Sequence, residues 1–333
     1  MKTDTLTREV WTIKADAFPT DGSIEEQARF LLRYAILAPS SHNSQPWEFT
    51  IDGDSIEIYP AEARWLEVAD ENKRELYLSL GCAIENLTIA AEHFDLGYQI
   101  EFFDDADHVS VITLDPENEP SSERPTGLFD EITERTTNHH LFEDRPLPDA
   151  LCERLGARVI ENDVGLLLID DPAQQASIAE LQAEADRKLM ENPDYRKELG
   201  YWIGTGALGD SWLAARIGQL VVSYLDIGDR EAKKNSKLLQ SAPVIGVLVT
   251  DSNDKASLIK AGRVFERLAL AATTEGVAVH PMSQILERSE MHEDLTSLLE
   301  GNDLQPQHLF RLGYAEDEQE HTPRWPLGKF LVE

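Results

Sequence analysis

Two periods of apolar residues run through the chain. Ser23 and Glu26 frame a capping box. Ile24, Ala28, Leu31, Leu32, Ala35 and Ile36 then follow at helical spacing, a stripe that Pro39 must end. Beyond it the period changes to two. EFTI, a turn at Asp52-Gly53 and SIEIY predict a half-buried hairpin. Further strands are predicted at QIEFF, HVSVITL, APVIGVLVTD and HLFRLGYA, and the unbroken apolar run Val244–Thr250 predicts a central strand covered on both faces.

One helical pattern occurs twice. GCAIENLTIAA, which starts at Gly81, aligns without gaps on GRVFERLALAA, which starts at Gly262. Ile84, Leu87 and Ala91 match Phe265, Leu268 and Ala272, so both segments predict buried amphipathic helices, with Gly97 and Gly276 as their stops. Helices rich in small residues also resemble one another by composition, so this alignment alone leaves duplication open. The flanking strands give both halves the same α+β grammar, and the polar run DPENEPSSERPTG over residues 115–127 predicts the linker. The expected organisation is one half over 1–120 and a second over 121–333. Residues 173–230 have no counterpart in the first half. They predict helices, with Ile178, Leu181, Ala185 and Leu189 on one face, and lead into the glycine- and tryptophan-containing WIGTGALGDSWLAARIG. A lid over a site and a purely structural helical hairpin both fit that insertion.

Charge narrows the function classes. The 333 residues carry 62 acidic and 30 basic side chains, a formal net charge of −32. A nucleic-acid partner would need a Lys/Arg footprint that this balance does not supply, and an anionic ligand must be met by a local exception. The N-terminal stretch MKTDTLTREVWTIKADAF has no apolar signal core, and no run approaches the roughly 20 apolar residues of a membrane span. A soluble, cytoplasmic protein without a membrane partner is expected. Cys82 and Cys152 form no CxxC pair and are expected as reduced thiols. His139, His140, His280, His292 and His308 show no metal-ligand spacing, so no metal is expected. Ser40 and Ser41 lack a GxSxG elbow and are not read as hydrolase nucleophiles.

The loop SSHNSQPW, Ser40 to Trp47, collects hydroxyls, amides and an imidazole between a core helix and a core hairpin. From the residues alone, a site for a polar heterocycle or polyol and a plain hydrogen-bonded helix-to-strand turn both fit. APSSHNSQPWEF, however, resembles the APSxxNxQPW segment of the FMN-dependent nitroreductase superfamily, and the long duplicated format resembles its Acg-type single-chain branch. The resemblance implies a nitroreductase-like α+β fold. Two tandem pseudo-symmetric halves, each with a mostly antiparallel sheet and core helices, would imitate the homodimer of that family. Ser40, Ser41, Asn43 and Gln45 would then belong to the flavin-binding loop.

The second half begins with ERTTNHHLF, similar to the Arg-led phosphate motif of the family, which implies Arg135, Thr136 and Thr137 as phosphate contacts. The first half lacks that motif and the second lacks APSxxNxQPW, a complementarity that implies one composite FMN per chain. GVAVHPMSQ is similar to the segment that runs beneath the reactive ring edge, implying Pro281, Met282, Ser283 and Gln284. RLGYAEDEQEHTPRWPLGKF resembles the closing motif, implying Arg324 as a second phosphate grip. Lys237, and after it Lys234, fall where the family places a basic contact to the ring. Arg135, Arg324 and Lys237 would supply the local exception to the acidic balance.

There are departures: threonines at 136 and 137, Ser283 where many active members carry Glu, and Thr322 where they carry Lys. The implied function is NAD(P)H-dependent two-electron reduction of a small-molecule electron acceptor, nitroaromatic or quinone-like, with the flavin as reactive centre. A lidded flavin-binding protein with little turnover is the alternative. The chain is expected as a monomer imitating a dimer or as a homodimer.

Overall fold

The computed structural model describes residues 5–104, 107–118, 120, 124, 127–209, 212–224, 227–299, 304–316 and 320–332. The Ser23/Glu26 box forms as expected, each side chain bonding the other's backbone N–H, and starts α1 (Ile24–Ala35). After it come β1 (Trp47–Asp52), β2 (Ser55–Pro60), α2 (Arg74–His93), β3 (Gly97–Phe102) and β4 (Ser110–Asp115). The short α3 (Leu128–Glu131) precedes α4 (Asp149–Gly156) and β5 (Val164–Ile169). Four consecutive helices follow: α5 (Pro172–Glu191), α6 (Pro193–Thr205), α7 (Trp212–Tyr224) and α8 (Gly228–Gln240). β6 (Val244–Thr250), α9 (Lys255–Thr274), β7 (Ala278–Pro281), α10 (Ser289–Leu298) and β8 (Gln305–Gly313) complete the described elements.

The strands form two four-stranded antiparallel sheets with orders β1-β2-β4-β3 and β5-β6-β8-β7. Replacing β1 to β4 by β5 to β8 turns one order into the other, so the halves share topology as well as sequence pattern. Between β1 and β2 the chain turns through Gly53-Asp54, one residue later than the sequence suggested, with Gly53 at φ +62°. At the matching place between β5 and β6 it inserts α5 to α8. The insertion therefore runs ten residues past the expected 230, to Gln240. It also includes both lysines, Lys234 and Lys237.

The repeated helices α2 and α9 cross at their aligned glycines. A Cβ on Gly81 would lie 2.0 Å from the carbonyl oxygen of Ile259, and one on Gly262 would lie 2.0 Å from that of Leu78. Both helices are buried on every side rather than amphipathic, because each is wedged between its own sheet and its partner helix. Gly276 stops α9 at φ +67°. After α2 the left-handed position falls to Asp95, and Gly97 instead opens β3, where the Asn118 carbonyl leaves no room for a Cβ. The C-terminal tail returns to the first sheet, Phe49 N–H donating to Phe330 O and Val332 N–H to Phe49 O. The end of the second half thus extends the sheet of the first.

Residues 119, 121–123 and 125–126 of the predicted linker lie outside the described residues. Arg124 is held deep against α2, its guanidinium on Glu85 and Glu92. Cys82 is buried, Cys152 is half-buried, and both are free thiols. Among the described residues no helix is long and apolar enough to cross a membrane, and no cluster of ligating side chains could hold a metal ion.

The insertion is seated by polar contacts. Asp186 on α5 accepts from Gln182 and from Asn235 of α8, and Gln182 also donates to Gln284. Burial pushes the Asp186 carboxyl up to about 7, against the pull of those two amides. Protonated Asp186 suits the folded state, so its contribution is full below the ordinary carboxylate range and fades as pH rises through about 7. Asp186→Asn is expected to flatten this dependence, leaving stability at pH 5 little changed and raising the melting temperature at pH 8. Equal melting shifts at both pH values would refute the assignment.

Candidate functional site

The loop after α1 is held in a costly shape. His42, Asn43 and Gln45 all take positive φ, at 51°, 52° and 53°, and such strain in non-glycine residues persists where the surroundings fix it. Ser40 Oγ accepts from Gln45 N–H, and Ser41 Oγ donates to Glu75 Oε2 at 2.7 Å. Asn43 Nδ2 donates to the carbonyls of Ala207, in the insertion, and Pro323, near the C-terminus, at 2.7 and 2.8 Å. Gln45 is fully buried. It donates to Asn43 O and accepts from Trp325 N–H, tying the loop to the tail. Asn43 Oδ1 is buried with no hydrogen-bond partner.

Arg324 arrives from that tail. Its Nη2 donates to Leu37 and Ala38 carbonyls at the end of α1, its Nη1 to Thr322 Oγ1, and its guanidinium lies 5.0 Å from the Trp11 ring. Arg135 approaches from the second half. Its Nε is 3.4 Å from Glu266, and Thr137 Oγ1 is 3.5 Å from its Nη1. Thr136 is half-buried beside it, and Thr137 pairs with Val279 of β7. Burial, with Arg135 nearby, pushes the Arg324 guanidinium down to about 9. The Nε atoms of both arginines and both Glu266 oxygens are buried without a hydrogen-bond partner. Two cations share one carboxylate here, a local excess of positive charge.

The matching position in the other half is closed. The repeat aligns Glu266 with Glu85, which is also fully buried, but Glu85 is bridged by Arg124 at 2.6 Å, Arg267 at 2.7 Å and Arg263 at 3.0 Å. Arg267 continues to Glu161 at 2.9 Å, in the loop before β5 that corresponds to the Ser40 loop. Carboxylates and guanidiniums satisfy one another there. These arginines hold the Glu85 carboxyl far below the usual range against its burial, whereas burial outweighs Arg135 at Glu266 and raises it.

The segment after β7 lies across from the loop. Pro281 ends the strand, Met282 is buried with its N–H on Leu309 O, and Gln284 accepts from Gln182. Ser283 Oγ sits 3.0 Å from His308 Nδ1, and that nitrogen is 3.7 Å from Glu75 Oε1. Burial opposes ionisation of Glu75, but Arg74, His308 and the Ser41 hydroxyl hold it down to about 2. Ser41 and Ser283, far apart in sequence, are joined through Glu75 and His308.

Of the two lysines, Lys234 is the nearer in charge to the His139–His280 pair. Both are exposed on α8, and Lys234 lies 3.8 Å from Glu231, but its charge also acts on His139 and His280, whose rings are 4.3 Å apart. Desolvation by its neighbours, then Lys234 and Arg311, lowers the His139 imidazole, although its side chain keeps an exposed face. Arg311 is fully buried with no carboxylate partner among the described residues; its Nε donates to His280 Nδ1, and its other nitrogens donate to carbonyls of Leu238, Asn138 and His140. Sequence reasoning did not include Glu75, His139, His280, Glu266 or Arg311 in the site. The alignment of Glu266 with Glu85 was the one available signal. A cavity of about 270 Å³ opens beside Pro323, lined also by Thr7, Arg8 and Gly204, Thr205, Gly206 and Gly209 of the insertion.

No family model matches the chain. Full-length relatives do. Over 319 residues it is 26% identical to "Putative NAD(P)H nitroreductase acg" of Mycobacterium tuberculosis, covering 90% of this chain and 93% of that protein. It is 25% identical over 318 residues to "Putative NAD(P)H nitroreductase Rv3131" of the same species, covering 92% and 91%. Among solved structures, the FMN-dependent nitroreductase NfnB of Mycobacterium smegmatis in complex with NADPH is 18% identical. It covers 60% of this chain and 94% of that one, with a TM-score of 0.42. Along about nine-tenths of its length, the chain is a homologue of mycobacterial proteins that are named putative NAD(P)H nitroreductases.

Proposed function

We propose that the chain is an NAD(P)H-dependent flavin oxidoreductase that holds one FMN between its halves. The observation that carries this reading is the Arg135–Arg324 pair. It forms an under-compensated cationic centre in a chain of charge −32, and Arg324 is bonded to the root of the Ser40 loop. A phosphate monoester of nearly two negative charges suits the unfilled Nε donors. The pseudo-symmetric position is already neutralised around Glu85, which supports one site per chain. The chemistry FMN supplies when bound is two-electron transfer between a nicotinamide and an acceptor.

The chain's own residues would bind and orient. Asn43 Oδ1 supplies a free acceptor, Ser40 and Ser41 fix the loop, and Lys234 with Arg311 makes the His139 side electropositive. Pro281 to Gln284 would line the reactive edge. A nitroaromatic or quinone is the proposed acceptor class. The test is anaerobic mixing of the flavin-loaded protein with NADPH or NADH. Loss of the oxidised-flavin absorbance, and its return on adding a nitroaromatic or quinone, is expected.

A second reading has its own observation. Asn43 is bonded directly to Ala207, so the insertion closes over the loop. A flavin that stays oxidised with either nicotinamide, and is released slowly, would favour a lidded binder over a reductase.

A further inference from the structure

The cavity beside Pro323 adjoins the candidate flavin site through hydrogen bonds in its walls. Thr7, in one wall, exchanges backbone hydrogen bonds with Arg324 at 2.8 and 2.9 Å. Pro323, in another, accepts from Asn43 Nδ2, as does Ala207, which follows the lining Gly206. Gly204, Gly206, Gly209 and Ala215 bring the α6–α7 connection of the insertion against these two segments. None of the lining side chains belongs to the proposed phosphate grip or reactive edge, so the cavity is a separate compartment next to them.

Size and charge select the ligand. Small-molecule sites usually measure about 300–1,000 Å³. At about 270 Å³ this one admits a single substituted ring and is too small for a dinucleotide. Leu6, Ala215 and Pro323 offer apolar surface, and the three glycines offer backbone with no side chain in the way, walls that suit a flat ring. Arg8 is the one charged side chain among the described lining residues. Its Nε donates to His321 O and its Nη2 to Gly209 O, which holds the guanidinium to both tail and insertion, while Nη1 has no partner among the described residues. Glu320, 3.6 Å from Nη2, is 86% exposed and screened by water. In a chain of −32, one fixed guanidinium beside apolar walls with no carboxylate among them favours a monoanion over a neutral molecule or a cation. We propose that this cavity binds a small aromatic monocarboxylate, its ring against Leu6, Ala215 and Pro323 and its carboxylate on Arg8. That this ligand is the electron acceptor rests on the flavin reading. 4-Nitrobenzoate, NAD(P)H and one proton would then give 4-nitrosobenzoate, NAD(P)+ and water, with two electrons passing from the nicotinamide to the nitro group.

Isothermal titration of the full, FMN-loaded chain with redox-inert benzoate, and with benzamide as its neutral isostere, tests the site. Benzoate is expected to bind at least about 10-fold more tightly than benzamide. Arg8→Gln should erase that advantage and leave benzamide within about twofold, with flavin absorbance and helical circular dichroism unchanged. Ala215→Met keeps Arg8 but fills the cavity from α7, and it should weaken both ligands at least about 10-fold. No benzoate binding up to about 10 mM overturns the proposal. So does equal affinity for benzoate and benzamide, acetate binding as tightly as benzoate, or benzoate affinity indifferent to both substitutions. The titrations need no turnover, so a flavin that neither nicotinamide reduces would count against the reductase reading and leave this site standing.

Discussion

Arg324→Ala is expected to empty the flavin site. The guanidinium is buried, lies beside Arg135 and is anchored to Leu37 and Ala38 carbonyls, so its replacement would remove half of the proposed phosphate grip. Truncating one member of a buried, hydrogen-bonded charge pair costs about 2–5 kcal/mol, which is a loss of roughly 30-fold to several thousand-fold in FMN affinity. Arg324→Lys keeps the charge but not the fork and should fall between. Riboflavin separates this role from a general loosening of the loop. It lacks the phosphate, so its affinity should be similar in wild type and variant. Titration of the apoprotein by flavin fluorescence measures both, and FMN affinity within threefold of wild type would contradict the assignment.

Gly262→Ala is expected to separate the two halves. The added methyl would sit 2.0 Å from a backbone oxygen of α2, and neither helix can yield without disturbing the sheet it covers. Overpacking a core usually costs about 1–3 kcal/mol, and a backbone clash at the crossing of two fully buried helices belongs at or beyond the top of that range. The urea midpoint should drop steeply, and flavin occupancy with it, because the site is built from both halves. Gly81→Ala, the equivalent change, should behave alike. Gly156→Ala is the control: it meets nothing within 4 Å, so its midpoint should stay within experimental error or rise slightly. Wild-type stability in Gly262→Ala would show that the α2–α9 crossing is looser than described.

The crossing explains why the duplication was visible in the sequence. Gly81 and Gly262 occupy one position in two copies of a helix, and only glycine allows the approach each requires. The hairpin and the Ser23 cap were legible for a similar reason, since their signals are local. What failed was non-local. The insertion was cut short because α8, GDREAKKNSKLLQ, reads as a polar charged stretch, and only its packing on α5 makes it part of the same unit. Gly97 has the residue type of a helix stop, but Asp95, a residue that tolerates the left-handed region, takes that position first. Arg124 looked like linker and is a buried partner of Glu85. The loop Ser40 to Trp47 was recognisable as a motif, yet nothing local reveals that Asn43 bonds to residues 207 and 323, or that Ser41 reaches Ser283 through Glu75 and His308. Those partners are set by the tertiary fold.

The difference between Glu85 and Glu266 bears most directly on the central claim. One repeat position is neutralised by three arginines, and the other leaves two arginines with one carboxylate. The deciding measurement is the visible spectrum of the purified chain after saturation with FMN, with acid-released flavin counted against polypeptide. One FMN per chain is the result predicted by a single open site between the halves. Two per chain would mean that the Glu85 network does not close its position, and none, even in excess FMN, would mean that the arginine pair serves the fold alone.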